Sequence, residues 1–374
     1  VRRQRQMCIR DRWETVRSWN IGFDFGLLNN RLTGSFDYFV RNTLDMIGPA
    51  PQLPATLGAT VPKVNNADMK AWGFEVEVSW RDRIKDFNYG VKFVLSDDQR
   101  KVTRYPNEEL NRNQWYAGRM DGLVWGYETV GIAKTDAEME AHLASLPNGG
   151  QSQLGSKWAA GDIMYKDLNG DGKISSGDGT LNDLGDLKVV ANTQLRFKYG
   201  LTLDASWKGF DFSAFFQGVG KRDVVVGGPY FWGANGQGMW QAAAFKDHMD
   251  YFRPEDTESV FGPNVDAYYP RVIFGGGSSE GGKNTLTQSR YVQNGAYIRL
   301  KNLQLGYTLP STITKKFAVN SLRVYVSGDN LWTGTKMRVF DPEVLGSTGD
   351  AGKAYPLARV SVSYTHLTLP TNSR

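Results

Sequence analysis

The sequence predicts an all-β chain that spans a membrane as part of a large antiparallel barrel. Apolar and polar residues alternate with period two through segment after segment. The segments are long, and Trp or Tyr tends to close their apolar face. Short polar turns alternate along the chain with long irregular stretches, the pattern of a barrel with tight turns on one rim and long loops on the other.

In Ser18–Leu27, Trp19, Ile21, Phe23, Phe25 and Leu27 fall on one face of a strand and Ser18, Asn20, Asp24 and two glycines on the other. Leu28-Asn29-Asn30-Arg31 reads as a turn, because Asn tolerates positive φ. Leu32–Arg41 returns with Phe36, Tyr38 and Val40 opposite Ser35, Asp37 and Arg41. Gly73–Trp80 sets Phe74, Val76, Val78 and Trp80 against Glu75, Glu77 and Ser79. After the polar turn 81–86, Tyr89, Val91, Phe93 and Leu95 continue the pattern. Leu195–Trp207 is the longest alternation, and Lys208-Gly209 turns it into Phe210–Val219. In Tyr297–Leu309 the apolar phase flips at Lys301-Asn302, which predicts a bulge. Ser321–Leu331 is the last clear strand. Stretches 42–70, 100–190, 220–292 and 332–354 read as long loops, and Lys134–Leu146 within one of them as a short helix capped by Thr135 or Asp136. A large soluble β-protein with aromatic cores, such as a lectin or sandwich array, is the competing reading of the same pattern.

Aromatic residues make up 13% of the 374 residues and glycine accounts for 42 of them, which suits β structure rather than disorder. The net charge of +5 sits at the ends. Residues 1–12 hold five arginines against Asp11, and the last residue is Arg374, so the body is neutral and offers no electrostatic case for nucleic acid. The single cysteine, Cys8, also lies in the first segment, which excludes a disulfide framework in the body. Residues 1–12 and 361–374 resemble translated sequencing adaptor, so both are expected to be non-native segments flanking a body of 13–360.

The sharpest chemical motif lies within 155–190. Asp167, Asn169, Asp171, Lys173 (through its carbonyl), Ser175 and Asp178 occupy positions 1, 3, 5, 7, 9 and 12 of a calcium loop, with Gly172 at position 6. Position 12 is Asp rather than Glu, and no flanking helices complete a hand. A structural Ca2+ pinning a long loop is the expectation; an Asn/Gly-rich turn without metal is the alternative. Catalysis is not expected. His142 and His248 have no partner set, and Glu75 and Glu77 on one strand face read as solvated wall rather than a glycosidase pair. Trp115, Tyr116, Trp125, Tyr230, Phe231, Trp232 and Trp240 are loop aromatics that could stack on sugar rings, dock a partner or pack the loops together.

Several motifs carry a resemblance. They are Gly161-Asp162-Ile163 with Lys166–Gly172, Tyr199-Gly200-Leu201, Lys208–Phe212, Phe215–Gly220, Tyr297–Pro310, Val326–Trp332, Asp341-Pro342-Glu343 and Tyr355-Pro356-Leu357. In this order they make residues 13–360 resemble the C-terminal part of a SusC/RagA-type TonB-dependent outer-membrane transporter of Bacteroidetes. The resemblance implies a barrel of about 22 strands around an N-terminal plug, closed by a SusD-like surface lipoprotein. It implies import of glycan or peptide oligomers, driven by TonB-ExbB-ExbD, and outer-membrane lipid around the wall. The family's plug and TonB-binding segment match nothing in this sequence, and Arg374 stands where the family ends on an aromatic residue. A siderophore- or cobalamin-type receptor, or a secreted calcium-dependent carbohydrate-binding β-protein, are the alternative functions.

Overall fold

The computed structural model describes residues 13–49, 64–233, 245–273, 279–317, 319–338, 340–345 and 359–368. The chain opens with β1 (Thr15–Leu27), β2 (Leu32–Ile47), β3 (Asn65–Ile84) and β4 (Phe87–Arg104). A long connection follows, with β5 (Leu123–Tyr127), β6 (Thr129–Ile132), helix α1 (Asp136–Ala144), β7 (Ile163–Tyr165) and β8 (Leu187–Asn192). Next come β9 (Arg196–Trp207), β10 (Phe210–Lys221) and β11 (Asp223–Val225). The last strands are β12 (Val292–Asn294), β13 (Tyr297–Thr308), β14 (Val319–Thr335) and β15 (Arg359–Thr368).

Among the described residues nine strands pair antiparallel in the order β1-β2-β3-β4-β9-β10-β13-β14-β15, an open sheet with β1 and β15 at its edges. Turn chemistry sets the register. Leu28, Asn29 and Asn30 all take positive φ between β1 and β2. Lys208 and Gly209 do so between β9 and β10, where two left-handed residues match the twist of the flanking strands. A Cβ on Gly209 would lie 2.7 Å from the Thr308 carbonyl oxygen, so that corner also needs glycine for space.

From β1 to β14 the register of the large sheet aligns the alternation of its strands into continuous rows. Phe23, Phe36, Val76, Leu95 and Tyr199 are successive partners, as are Phe93, Leu201, Phe216, Leu300 and Trp332. The opposite face carries the row Ser35, Glu77, Val94, Gly200, Gln217 and Arg299, with Lys92 paired to Glu77 at 2.7 Å. The apolar rows are exposed: Trp19, Ile21, Phe23 and Leu305 are each more than half accessible. No second sheet covers them among the described residues. A face this large and apolar is not stable against water at roughly 25 cal/mol per Å².

The phase flip expected at Lys301-Asn302 is present. Pairing to β14 shifts between Leu300 and Asn302, and pairing to β10 shifts between Phe215 and Phe216. Helix α1 is also where the sequence puts it, with the Thr135 hydroxyl accepting from Glu138 N at 3.1 Å. Two expectations need correction. β3 and β4 run far past the predicted 73–80 and 89–95: the outer half of β4 carries polar residues on both faces, while in β3 the phase inverts, setting Ala67, Met69 and Ala71 against Asn66, Asp68 and Lys70, with Ala67 and Val102 buried in a small cluster around Tyr105. The Arg104 side chain joins Asp68 and Asp45 across these outer ends. The stretches read as irregular also contain three two-stranded sheets, β5-β8, β6-β7 and β11-β12.

The packed core lies in the loops, not in the wall. Tyr127, Ile163, Tyr165, Ile174, Phe231, Trp232, Phe252, Tyr269, Tyr291 and Phe340 form its centre. Residues 361–368 of the tail read as foreign lie in β15, in register with β14. Residues 1–12, the remainder of that tail, Trp240 and Tyr355-Pro356-Leu357 lie outside the described residues.

Candidate functional site: the loop assembly and its mouth

The long connections leave from one end of the wall strands and fold onto one another. At their centre, Gly161-Asp162-Ile163 delivers a fully buried carboxylate. Asp162 accepts from Arg271 Nε at 2.7 Å, Asn284 Nδ2 at 2.8 Å and Ala159 N at 3.0 Å, and its other close cation is Lys283 Nζ at 2.9 Å. Lys283 is itself fully buried; its ammonium donates to the Ser156 carbonyl at 2.7 Å and lies 4.6 Å from the Trp158 ring. This hub ties the segment before β7 to the segment before β12. Gln151, also buried, accepts from Tyr165 N and donates to the Ile163 carbonyl, fixing the calcium-like loop's neighbour to β7.

The calcium-like loop is built by its own backbone. Gly170 N and Gly172 N donate to the two Asp167 oxygens at 2.6 and 2.9 Å, and Lys173 N donates to Asp171 Oδ1 at 3.1 Å. Gly170 and Gly172 both have positive φ, as the sharp turn demands. Ile174 is fully buried and anchors the loop inward. Asp167 and Asp171 come together with a third carboxylate, Asp186, their oxygens within 4.8 Å of one another. Asp178, the twelfth position of the motif, instead accepts from Thr180 N at 2.7 Å in a separate turn. Ser175 lies beside the cluster: its N–H donates to Asp186 Oδ2 at 2.7 Å. Asn169 Oδ1 accepts from Asp171 N at 3.0 Å. Spacing alone gave no access to Asp186, which reaches the site because the turn at 177–185 folds back.

Electrostatics separate Asp186 from Asp167. Burial pushes the Asp186 carboxyl above its ordinary range, opposed by N–H groups of Leu168 and Ser175 and reinforced by the charge of Asp167. Burial acts the same way on Asp167, but the N–H groups of Gly172 and Gly170 outweigh it and hold that carboxyl low. The three groups that converge are all carboxylates, a set suited to a hard cation, with the Asn169 amide nitrogen 3.2 Å and Lys173 Nζ 3.9 Å from Asp171 Oδ2.

The loop aromatics separate into two groups. Phe231 and Trp232 are buried in the loop core, edge-on to each other at 4.9 Å and against Tyr291. Trp115 packs edge-on to Tyr105 at 6.1 Å beside Met46 and Met69, Trp125 is half-buried in β5, and Tyr116 is half-buried. Tyr230 stays exposed and pairs with exposed Phe245 at 6.0 Å.

Where the loops meet the wall, Asp341-Pro342-Glu343 lies across the polar face of β13. Arg299 pairs with both Asp341 and Glu343, and Lys301 reaches Glu343 at 2.8 Å. Arg222, one residue past β10, donates to the Pro342 and Leu345 carbonyls at 3.1 and 2.9 Å.

No protein-family model matches the chain. It is 29% identical to TonB-dependent receptor P3 of Formosa agariphila over 346 residues, covering 89% of this chain and 31% of that protein. It is 23% identical to TonB-dependent receptor SusC of Bacteroides thetaiotaomicron, covering 93% of this chain and 31% of that protein. Among solved structures, the RagAB peptide transporter matches with a TM-score of 0.66 at 24% identity, over 94% of this chain and 35% of that one. The chain is similar to a segment of the receptor barrel in these SusC/RagA-type TonB-dependent proteins. It spans about a third of the length of the curated relatives it matches. In this SusC/RagA-like segment the open nine-stranded sheet is a section of barrel wall. The tight turns sit at one rim and the loop assembly, with its carboxylate cluster, at the other.

Proposed function

We propose that the chain forms part of an outer-membrane transporter that imports oligomeric nutrients, glycans or peptides, using energy delivered through TonB-ExbB-ExbD. The single observation that carries this is the alignment of alternating residues into one exposed apolar face and one charged face across eight strands of the sheet, β1–β4, β9, β10, β13 and β14. Lipid against the first face and water against the second satisfy both at once. The relatives named TonB-dependent receptors and the RagAB peptide transporter support the import reading over a secreted sugar-binding protein. In this reading the loop assembly faces the outside and meets a SusD-like lipoprotein lid, and exposed Tyr230 is the loop aromatic best placed to touch lid or cargo. Side chains such as Glu75 and Glu77 are wall of a wet interior, with no catalytic task.

The carboxylate cluster is proposed as a structural Ca2+ site. Asp167, Asp171 and Asp186 would hold the ion, and Asn169, Ser175 and the Lys173 carbonyl would contribute oxygens nearby. The ion would offset the mutual repulsion of three carboxylates and brace the turn on which the loop core rests.

The test is uptake in cells of the source organism. A labelled oligomer pool is followed with the receptor gene intact, deleted, or present in a strain lacking TonB. Loss of uptake in both altered strains is expected. Uptake that persists without TonB would sink the proposal.

A further inference from the structure

We infer that the cavity beneath Asp341-Pro342-Glu343 is an anion subsite, which takes a carboxylate of an incoming oligomer beside Arg222. The inference deepens the import reading and rests on it.

The cavity measures about 490 Å³ and opens on the polar face of the wall, at the end from which the long loops leave. Ser96, Lys198, Gln217, Arg222, Tyr297 and Glu343 are among its lining residues. Arg222 is 8% exposed. Its terminal nitrogens donate to the Pro342 and Leu345 carbonyls, and its Nε has no partner. Among the described residues no carboxylate pairs with it. The two carbonyl groups take one N–H from each terminal nitrogen and leave its charge uncompensated.

Its neighbours cannot supply the missing charge. Asp341 and Glu343 are ion-paired with Arg299 and Lys301, although Glu343 Oε2, 2.8 Å from Arg299 Nη1, accepts no hydrogen bond, so the cluster sets three cations against two carboxylates. The Nε of Arg299 is also buried without a partner. Lys198, on the far wall, is held by Asp98 at 2.8 Å. A buried guanidinium with a spare N–H on each terminal nitrogen, beside a cavity, is suited to a carboxylate. The Gln217 amide and the Ser96 and Tyr297 hydroxyls offer neutral hydrogen bonds for the rest of the oligomer.

Carboxylates occur in acidic peptides and in uronate oligosaccharides, and the experiment separates them. The full-length receptor containing this chain is purified in detergent and titrated calorimetrically with triglutamate and with trigalacturonate. Triglutamine and trigalactose serve as the neutral counterparts. At least one acidic probe should bind about tenfold or more tighter than its counterpart, and which one does identifies the source. Arg222→Gln should remove that preference, and Arg222→Lys should keep most of it. Gln217→Glu, which adds a carboxylate to the cavity, should also abolish the preference by repulsion, and it decides the matter if Arg222→Gln fails to insert. Equal binding of acidic and neutral probes to the wild type overturns the subsite, as does a preference that survives Arg222→Gln or Gln217→Glu. TonB-dependent uptake that persists alongside such a result leaves the import reading standing.

Discussion

Lys283 Nζ lies 2.9 Å from Asp162 Oδ2, and neither side chain has any solvent exposure. Residues more than a hundred positions apart are thereby joined at the centre of the loop assembly, with Arg271 and Asn284 completing the carboxylate's shell. A buried pair of this kind is expensive to break from one side, because the surviving charge loses its partner but stays dry.

Asp162→Ala should therefore destabilise the loop assembly by about 3–5 kcal/mol. Lys283 would keep two carbonyls, the Trp158 ring and Glu280. Hydrogen exchange on the receptor should show lost protection from 159 to 165 and from 279 to 291, with the wall strands unchanged. The double variant Asp162→Ala/Lys283→Met should lose less than the sum of the single changes. Strict additivity would mean that the two residues do not act as a pair.

Calcium should protect the turn at 167–186 from proteolysis, and a chelator should expose it. Asp186→Asn should weaken that protection more than Asp178→Asn, since Asp186 joins the cluster and Asp178 caps another turn. At a calcium concentration about 100-fold above the dissociation constant, the bound ion would add roughly 2.7 kcal/mol. Equal effects of the two substitutions would return the site to the spacing read from the motif.

The loop core should fail in alkali. Burial raises the pKa of Tyr165, Tyr269 and Tyr291 above the ordinary tyrosine value of 10.0, with the Asp247 hydrogen bond adding to the effect at Tyr269. A raised folded-state pKa means that the folded form holds its proton more tightly. The stability this contributes is complete below pH 10 and is lost as pH climbs through the folded-state values. Absorbance at the tyrosinate band, followed with far-ultraviolet circular dichroism, should show these phenols ionising together with loop unfolding, while strand signal persists. Free titration near pH 10 without unfolding would contradict their burial.

Phe93→Arg should block insertion of the receptor into vesicles, at a cost of about 2–4 kcal/mol if the residue sits near the bilayer midplane. Glu77→Gln, on the opposite face of the neighbouring strand, should insert normally. The readout is the heat-modifiable shift on gels. Comparable losses from both would show that the two faces do not see different solvents.

The wall was legible in the sequence wherever one face meets an apolar medium, because alternation is then enforced residue by residue. The bulge at Lys301-Asn302 and the Thr135 cap were legible for the same reason: each is a local rule broken or kept within a few positions. The outer halves of β3 and β4 were not, since the apolar phase inverts within β3 and polar residues occupy both faces of β4, so no single period continues there. Asp186 was hidden because loop closure rather than spacing brings it to Asp167 and Asp171. Composition left Phe231 and Trp232 open between ligand contact and loop packing, and only their packing against Tyr269 and Tyr291 separates them from exposed Tyr230.

Every tight hairpin of the sheet sits at one rim, and the long connections rise from the other. Natural variation can therefore lengthen, shorten or rewrite what stands on the upper rim without disturbing a single strand register below it. Kindred proteins should diverge most in that crown and least in the staves that carry it.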